Sequence, residues 1–170
     1  MSIILNRRSI RQYKDMPVEK DKLTRIIKAG MQAPSAHNTQ PWEFILITDA
    51  KAKEALSQMS QYAQFAKAAP VLILTCANLD RAAKDNTWWV QDLSACTQNM
   101  LLQIAAEGLG GVWLGFYPDE ERVSKAKAYF TLPEHIVPFS VIACGYSEQP
   151  NQFVDRYDAA KVHYEAYDFK

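Results

Sequence analysis

The run Val71-Leu72-Ile73-Leu74-Thr75-Cys76-Ala77 constrains this chain more than any other stretch. It is apolar at nearly every position and does not alternate, which is the pattern of a β-strand covered on both faces. A half-solvated strand would show polar residues at every second place. Two further strands are expected, Trp42 to Thr48 and Ile136 to Cys144, both rich in β-branched and aromatic residues. Pro138 lacks a backbone donor, so the second of them should begin at an edge or a bulge. Val112 to Phe116 reads as a short strand or extended segment.

Helices account for most of the remainder. Leu23, Ile26, Ile27 and Met31 recur at helical spacing and predict an amphipathic helix from Glu19 to Met31, which Pro34 prevents from continuing. Asp49 can cap a helix through Ala52, Ala55, Leu56 and Met59. Val90, Leu93, Thr97, Met100, Leu101, Ile104 and Ala105 predict a long helix from Trp88 to Glu107. Much of its circumference is apolar, so it should be central and is a candidate for burial against a second subunit. Gly108 suits the position just past its end. The acidic start Pro118-Asp119-Glu120-Glu121 predicts a helix to Tyr129, residues 2–8 could form a short one, and residues 78–87 read as a polar loop.

With 170 residues, no internal repeat and no low-complexity linker, the chain is expected to be one domain, 1–170. Lysine plus arginine and aspartate plus glutamate each number 19, so no global basic field points to nucleic acid as the main partner. Cys76, Cys96 and Cys144 lie far apart in apolar runs, without the spacing of a zinc site, and read as small reduced hydrophobes. That fits a cytoplasmic protein. No signal peptide and no membrane span are expected, because no apolar segment is long enough. His37, His135 and His163 are scattered, and neither a metal site nor a hydrolase triad is expected.

Against that neutral background, Asn6-Arg7-Arg8-Ser9-Ile10-Arg11 stands out. Arginine forks match a phosphate or carboxylate bidentately, and serine adds a compact donor; a solvated surface run is the plainer reading. The loop Ala33-Pro34-Ser35-Ala36-His37-Asn38-Thr39-Gln40-Pro41-Trp42 is bracketed by prolines, and its two amides suit the polar edge of a heterocycle or a sugar chain. A polar, proline-punctuated loop is the competing reading. Gly108-Leu109-Gly110-Gly111 follows a helix, and Trp113 stands where a third glycine would be, so it is not a dinucleotide fingerprint. It is a helix stop, or a place where backbone must approach a flat ligand. Trp88 and Trp89 are open to two readings, substrate pocket or packing. Tyr146, Phe153, Tyr157, Tyr164, Tyr167 and Phe169 crowd a polar tail that needs something to pack on, and a partner subunit would serve.

Taken in order, Arg7-Arg8-Ser9-Ile10-Arg11, the Ala33–Trp42 loop, Gly108-Leu109-Gly110-Gly111-Val112-Trp113-Leu114-Gly115 and the closing Arg156-Tyr157 with Lys161 to Glu165 resemble the nitroreductase family of FMN flavoproteins over nearly the whole chain. The resemblance implies an α+β fold, a three-layer α/β/α sandwich with a mostly antiparallel central sheet. It implies a homodimer whose C-terminal tails are exchanged, with one FMN per subunit at the interface. Arg7, Arg8 and Ser9, joined by Arg156, would hold the phosphate and ribityl chain. Arg11 would stand at the N1 and O2 side of the ring as the catalytic cation. Pro34, Ser35, Ala36, Asn38 and Gln40 would line the flavin, partly from the partner, and backbone of Trp113, Leu114 and Gly115 would approach its N4/N5 side. Larger members carry an acidic side chain near the Gly115 position, which this chain lacks, and its shortness points to a reduced or differently built lid.

The activity so implied is electron transfer from NAD(P)H through flavin N5 to a nitroaromatic, a quinone or a similar small acceptor, by a ping-pong mechanism without an obligatory side-chain acid or base. A flavin-storage module without turnover, or another flavin reaction such as reductive dehalogenation or flavin fragmentation, would share the same motifs.

Overall fold

The structure, a computed structural model, describes residues 2–82 and 87–167. Phe169 and positions 83–86 of the expected polar loop lie outside the described residues.

The fully apolar run forms β2 (Val71–Asn78), which pairs antiparallel with β1 (Trp42–Ile47) on one side and β4 (Ile136–Gly145) on the other. β3 (Gly110–Gly115) completes the order β1-β2-β4-β3 by pairing antiparallel with β4. Successive side chains of β2 point to opposite faces. Val71, Ile73 and Ala77 enter one core; Leu72, Leu74 and Cys76 enter the other. The first core is closed by α2 (Lys20–Met31) and α4 (Trp89–Ala106), through Ile26, Leu93, Cys96, Met100 and Ile104. The second is closed by α3 (Ala50–Gln58) and α5 (Glu120–Phe130), through Ala52, Leu56 and Ala126. These layers are the three-layer α/β/α arrangement expected of the resemblance.

Local chemistry explains the boundaries. Asp49 caps α3 by accepting from the Ala52 amide, and Asp119 caps α5 by accepting from the Arg122 amide, so α5 starts at Glu120 and leaves Pro118 outside. Gly108 has φ +74° and ends α4 as a left-handed residue. In β4 the bulge is real: Thr75 pairs with Ser140 but Cys76 with Pro138, leaving Phe139 as the extra residue. The insertion reverses the alternation, so Phe139 joins the α2/α4 core while Val141 joins the opposite one. Phe139 thereby meets Trp89 and Trp113, with ring centroids 6.2 and 5.7 Å away.

α1 (Ile3–Asn6) is a single turn, and the chain after it runs along the open edge of β3. Ser9 forms a parallel bridge to Gly111, and the Ile10 amide donates to the Gly111 carbonyl at 3.1 Å. Ile10 is buried against Gly110, whose own Cβ, if present, would sit 2.6 Å from Ile10 Cγ2. Gly110 is thus explained by the chain's own N-terminal arm, and Gly111 by α4, since a Cβ there would sit 3.1 Å from Ile104 Cγ2.

Candidate active site

Four of the expected residues come together on that arm. Arg7 and Arg8 are partly buried where the arm crosses the start of β3. Partial burial, followed by the like charges of Arg8 and Arg156, lowers the pKa of Arg7. Arg156, 149 positions away in sequence and exposed, is therefore close enough to be felt. Arg8 Nη1 donates to the Arg7 carbonyl at 2.6 Å, whereas its Nε and Nη2 are buried and have no hydrogen-bond partner among the described residues. The same holds for Asn6 Oδ1. Buried charged donors left unpaired are costly, and a bound anion would relieve the cost. This arginine set fits a phosphate.

The arm is held by two side chains that sequence reasoning did not single out. Asn151 Oδ1 accepts from the Arg8 amide at 2.9 Å, and its Nδ2 donates to the Leu109 carbonyl at 3.2 Å. Gln149 Oε1 accepts from the amides of Arg11 and Gln12 at 3.1 and 3.2 Å. These amides stand in for the missing strand neighbour. The only sequence signal was two carboxamides flanking Pro150 just after a strand.

Arg11 is exposed, and among the described residues it has no ion-pair partner. Its Nη1 reaches the Ser9 carbonyl at 3.5 Å, and its guanidinium carbon lies 6.0 Å from the Phe65 ring centroid. The cation is presented rather than neutralised.

The Pro34–Gln40 loop lies elsewhere, against the first turn of α4. Together with Trp88, Gln91, Asp92 and Ala95, the residues Pro34, Ser35 and Ala36 line a pocket there. His37, Asn38 and Gln40 have φ of 54°, 56° and 48°, left-handed values that side-chain-bearing residues rarely adopt. Internal bonds keep the loop in shape. Ser35 Oγ accepts from the Gln40 amide at 3.0 Å, and Gln40 Nε2 donates to Asn38 Oδ1 at 2.9 Å. One end of each carboxamide is thereby committed, which leaves the Asn38 amino group and the Gln40 carbonyl for another partner.

Trp113 and Leu114 are half-buried on β3, and Gly115 is exposed at its end. A Cβ on Gly115 would meet nothing within 4 Å, so the backbone there is open. The Gly115 carbonyl accepts from Arg122 Nη1 at 3.1 Å. Trp89 packs edge-on against Tyr117, ring centroids 4.7 Å apart, while Trp88 is exposed at the pocket. Packing thus describes Trp89, and Trp88 is the one of the pair beside the loop. His135 Nδ1 lies 3.6 Å from Asp80 Oδ2, a surface pair joined by the fold and not by sequence spacing. Among the described residues no group of three or more His, Cys, Asp or Glu could hold a metal. All three cysteines are buried and free, and burial pushes each thiol up to about 12.

The nitroreductase family model matches residues 4–64 and 60–146. A curated protein of Archaeoglobus fulgidus, provisionally named an NADH dehydrogenase/NAD(P)H nitroreductase, is 38% identical over 168 residues, covering 97% of either chain. Among solved structures, a provisionally named NADH oxidase from Clostridium acetobutylicum superposes with a TM-score of 0.94 at 47% identity, over 98% of this chain and 100% of that one. The FMN-dependent nitroreductase from Clostridium difficile gives 0.89 at 31% identity, over 98% and 99%.

Proposed function

The chain belongs to the nitroreductase family, and from that premise we propose that it is an NAD(P)H-dependent FMN oxidoreductase acting on a nitroaromatic, a quinone or a similar small acceptor. The observation that carries this is the pair of buried, unpartnered Arg8 nitrogens beside Arg7, with Arg156 close by. The names of the relatives agree, since one is FMN-dependent and another is named for NAD(P)H.

Bound there, FMN would supply the redox chemistry, two electrons in from NAD(P)H and two out to the acceptor. Arg7, Arg8, Ser9 and Arg156 bind its phosphate and ribityl end. Ser35, Asn38 and Gln40, with Pro34 and Ala36, orient the ring. Trp113, Leu114 and Gly115 offer backbone along an open strand end. Arg11 supplies positive charge where negative charge develops during hydride transfer, the role of a preorganised electrostatic donor. One face serves donor and acceptor in turn, so the kinetics are ping-pong.

The active unit in this reading is a homodimer of one-domain chains, 1–170, with one FMN per subunit at the interface. The arginine arm and the Pro34–Gln40 loop lie on separate elements of one chain, and a second chain brings a loop to each arm. Two surfaces support it. Ile3, Ile4, Ala29, Leu102 and Ala106 line a groove of about 630 Å³ between α1, α2 and α4. The tail exposes Phe153, Tyr157, Tyr164 and Tyr167, the last three at 69–83%, and exchange between subunits would bury them. No helix among the described residues is long and apolar enough to cross a membrane; reduced, buried thiols suit a cytoplasmic enzyme.

Initial rates on FMN-loaded protein test the proposal, with NAD(P)H varied at several fixed concentrations of a nitroaromatic or a quinone. Parallel double-reciprocal lines are expected. No turnover with any acceptor of either class would refute the activity, and intersecting lines would refute the ping-pong order.

A further inference from the structure

Asp92 is the one charged residue among the described residues that is buried, at 5% exposure. It sits in the first turn of α4, where negative charge complements the helix dipole, but an exposed aspartate would serve that purpose without the cost of burial. Its Oδ1 accepts from the Ala36 amide at 2.9 Å, and its Oδ2 is buried without a partner among the described residues. What the fold gains from this half-paired carboxylate is therefore a hold on Ala36.

Ala36 lies within the Pro34–Gln40 loop, the segment that needs holding. Directly after it come His37, Asn38 and Gln40, all at positive φ, a conformation that persists only where surroundings impose it. The bonds inside the loop, Ser35 to Gln40 and Gln40 to Asn38, fix its shape but not its place on the protein. The Asp92–Ala36 bond fixes its place, because α4 is anchored in the core by Leu93, Cys96 and Met100.

We infer that Asp92 is a positioning residue, whose carboxylate holds the strained Pro34–Gln40 loop on α4 and so presents Ser35, Asn38 and Gln40 to the ligand. The tether rests on the geometry of this chain alone; that the ligand is FMN rests on the reading above. Asp92→Asn keeps an oxygen acceptor and the side-chain volume, whereas Asp92→Ala removes the acceptor. Two quantities are read in both variants and the parent: hydrogen exchange at the Ala36 amide, and the FMN dissociation constant.

Asp92→Ala should exchange at Ala36 about tenfold faster or more, and bind FMN weaker by a similar factor, as expected when a bond to a charged acceptor is lost. Asp92→Asn should stay within about threefold of the parent in both, since the bond survives in neutral form. Unchanged exchange in Asp92→Ala, or exchange in Asp92→Asn as fast as in Asp92→Ala, overturns the tether. Faster exchange with unchanged FMN affinity overturns the positioning role. A parent protein that binds no FMN overturns the proposed function instead, and the exchange measurement still decides the tether.

Discussion

Arg8 keeps two guanidinium nitrogens buried without partners, and a buried donor left so costs about 1–3 kcal/mol. Its removal should therefore act in opposite directions on the two states of the protein. Arg8→Ala is expected to weaken FMN binding roughly 10–100-fold, the worth of one or two charge-assisted bonds, without lowering the melting temperature of the flavin-free protein. Fluorescence titration and thermal melting read the two effects separately; a flavin-free protein that melts well below the parent would mean that Arg8 is structural. Arg11, exposed and without an ion-pair partner among the described residues, should differ in kind. Arg11→Ala should slow hydride transfer roughly 10–100-fold, measured by single-turnover absorbance, with a smaller change in FMN affinity. The arginine cluster was legible in the sequence because three cations within five positions stand out in a neutral chain. Asn151, Gln149 and Asp92 were not, since each acts on a backbone amide that only the fold brings near.

At the scale of elements, the edge of β3 shows how two nearby glycines differ. Gly110 lies against Ile10 with no room for a methyl group, whereas Gly115 faces open space. Gly110→Ala should destabilise the protein by about 1–3 kcal/mol in urea unfolding, the usual cost of overpacking, and loosen the arginine arm. Gly115→Ala should leave flavin-free stability unchanged within about 0.5 kcal/mol, as surface substitutions do, and weaken FMN binding if the ring passes over that strand end. The α2–α4 layer carries a pH signature. Arg25 donates to both oxygens of Glu107 at 2.8 Å and holds that carboxyl down to about 2. A depressed carboxylate stabilises fully above its ordinary value of 4.5, and the contribution fades as pH falls from there toward 2. Arg25→Ala should accordingly melt below the parent at neutral pH, and the gap should narrow over that acidic window.

The elements themselves were readable because period and capping agree: the unalternating β2, the Asp49 cap and the long apolar α4 all lie where the pattern put them. The Pro138 bulge was legible in kind but not in effect, because turning Phe139 toward Trp89 and Trp113 depends on pairing with β2. The Gly110-Gly111 pair was ambiguous, since a close-packed neighbour and a flat ligand make the same demand on a glycine.

At the scale of the whole molecule, the chain leaves its tail aromatics and the α1–α2–α4 groove uncovered. Gln149 and Asn151 serve their own chain by holding the arginine arm, so the segment to test lies beyond them. Removing residues 155–170 takes away Arg156 and Tyr157 onward. The truncated protein should lose FMN on gel filtration and dissociate more readily than the parent by light scattering. A truncated protein that keeps both flavin and dimer would remove the tail from the assembly. The sequence points to a partner through its tail aromatics, whereas the pairing of surfaces in the proposed dimer would arise only when two folded chains meet and so leaves no local pattern in one of them.

The proposed activity is a cofactor-bound redox cycle, and the most direct measurement is the visible spectrum of purified, FMN-loaded protein titrated with NAD(P)H under anaerobic conditions. About one FMN per chain should remain bound through desalting, its yellow absorbance should bleach on addition of NAD(P)H, and the colour should return on addition of a quinone or nitroaromatic. A protein that fails to retain FMN, or that retains it and does not bleach, would contradict the account.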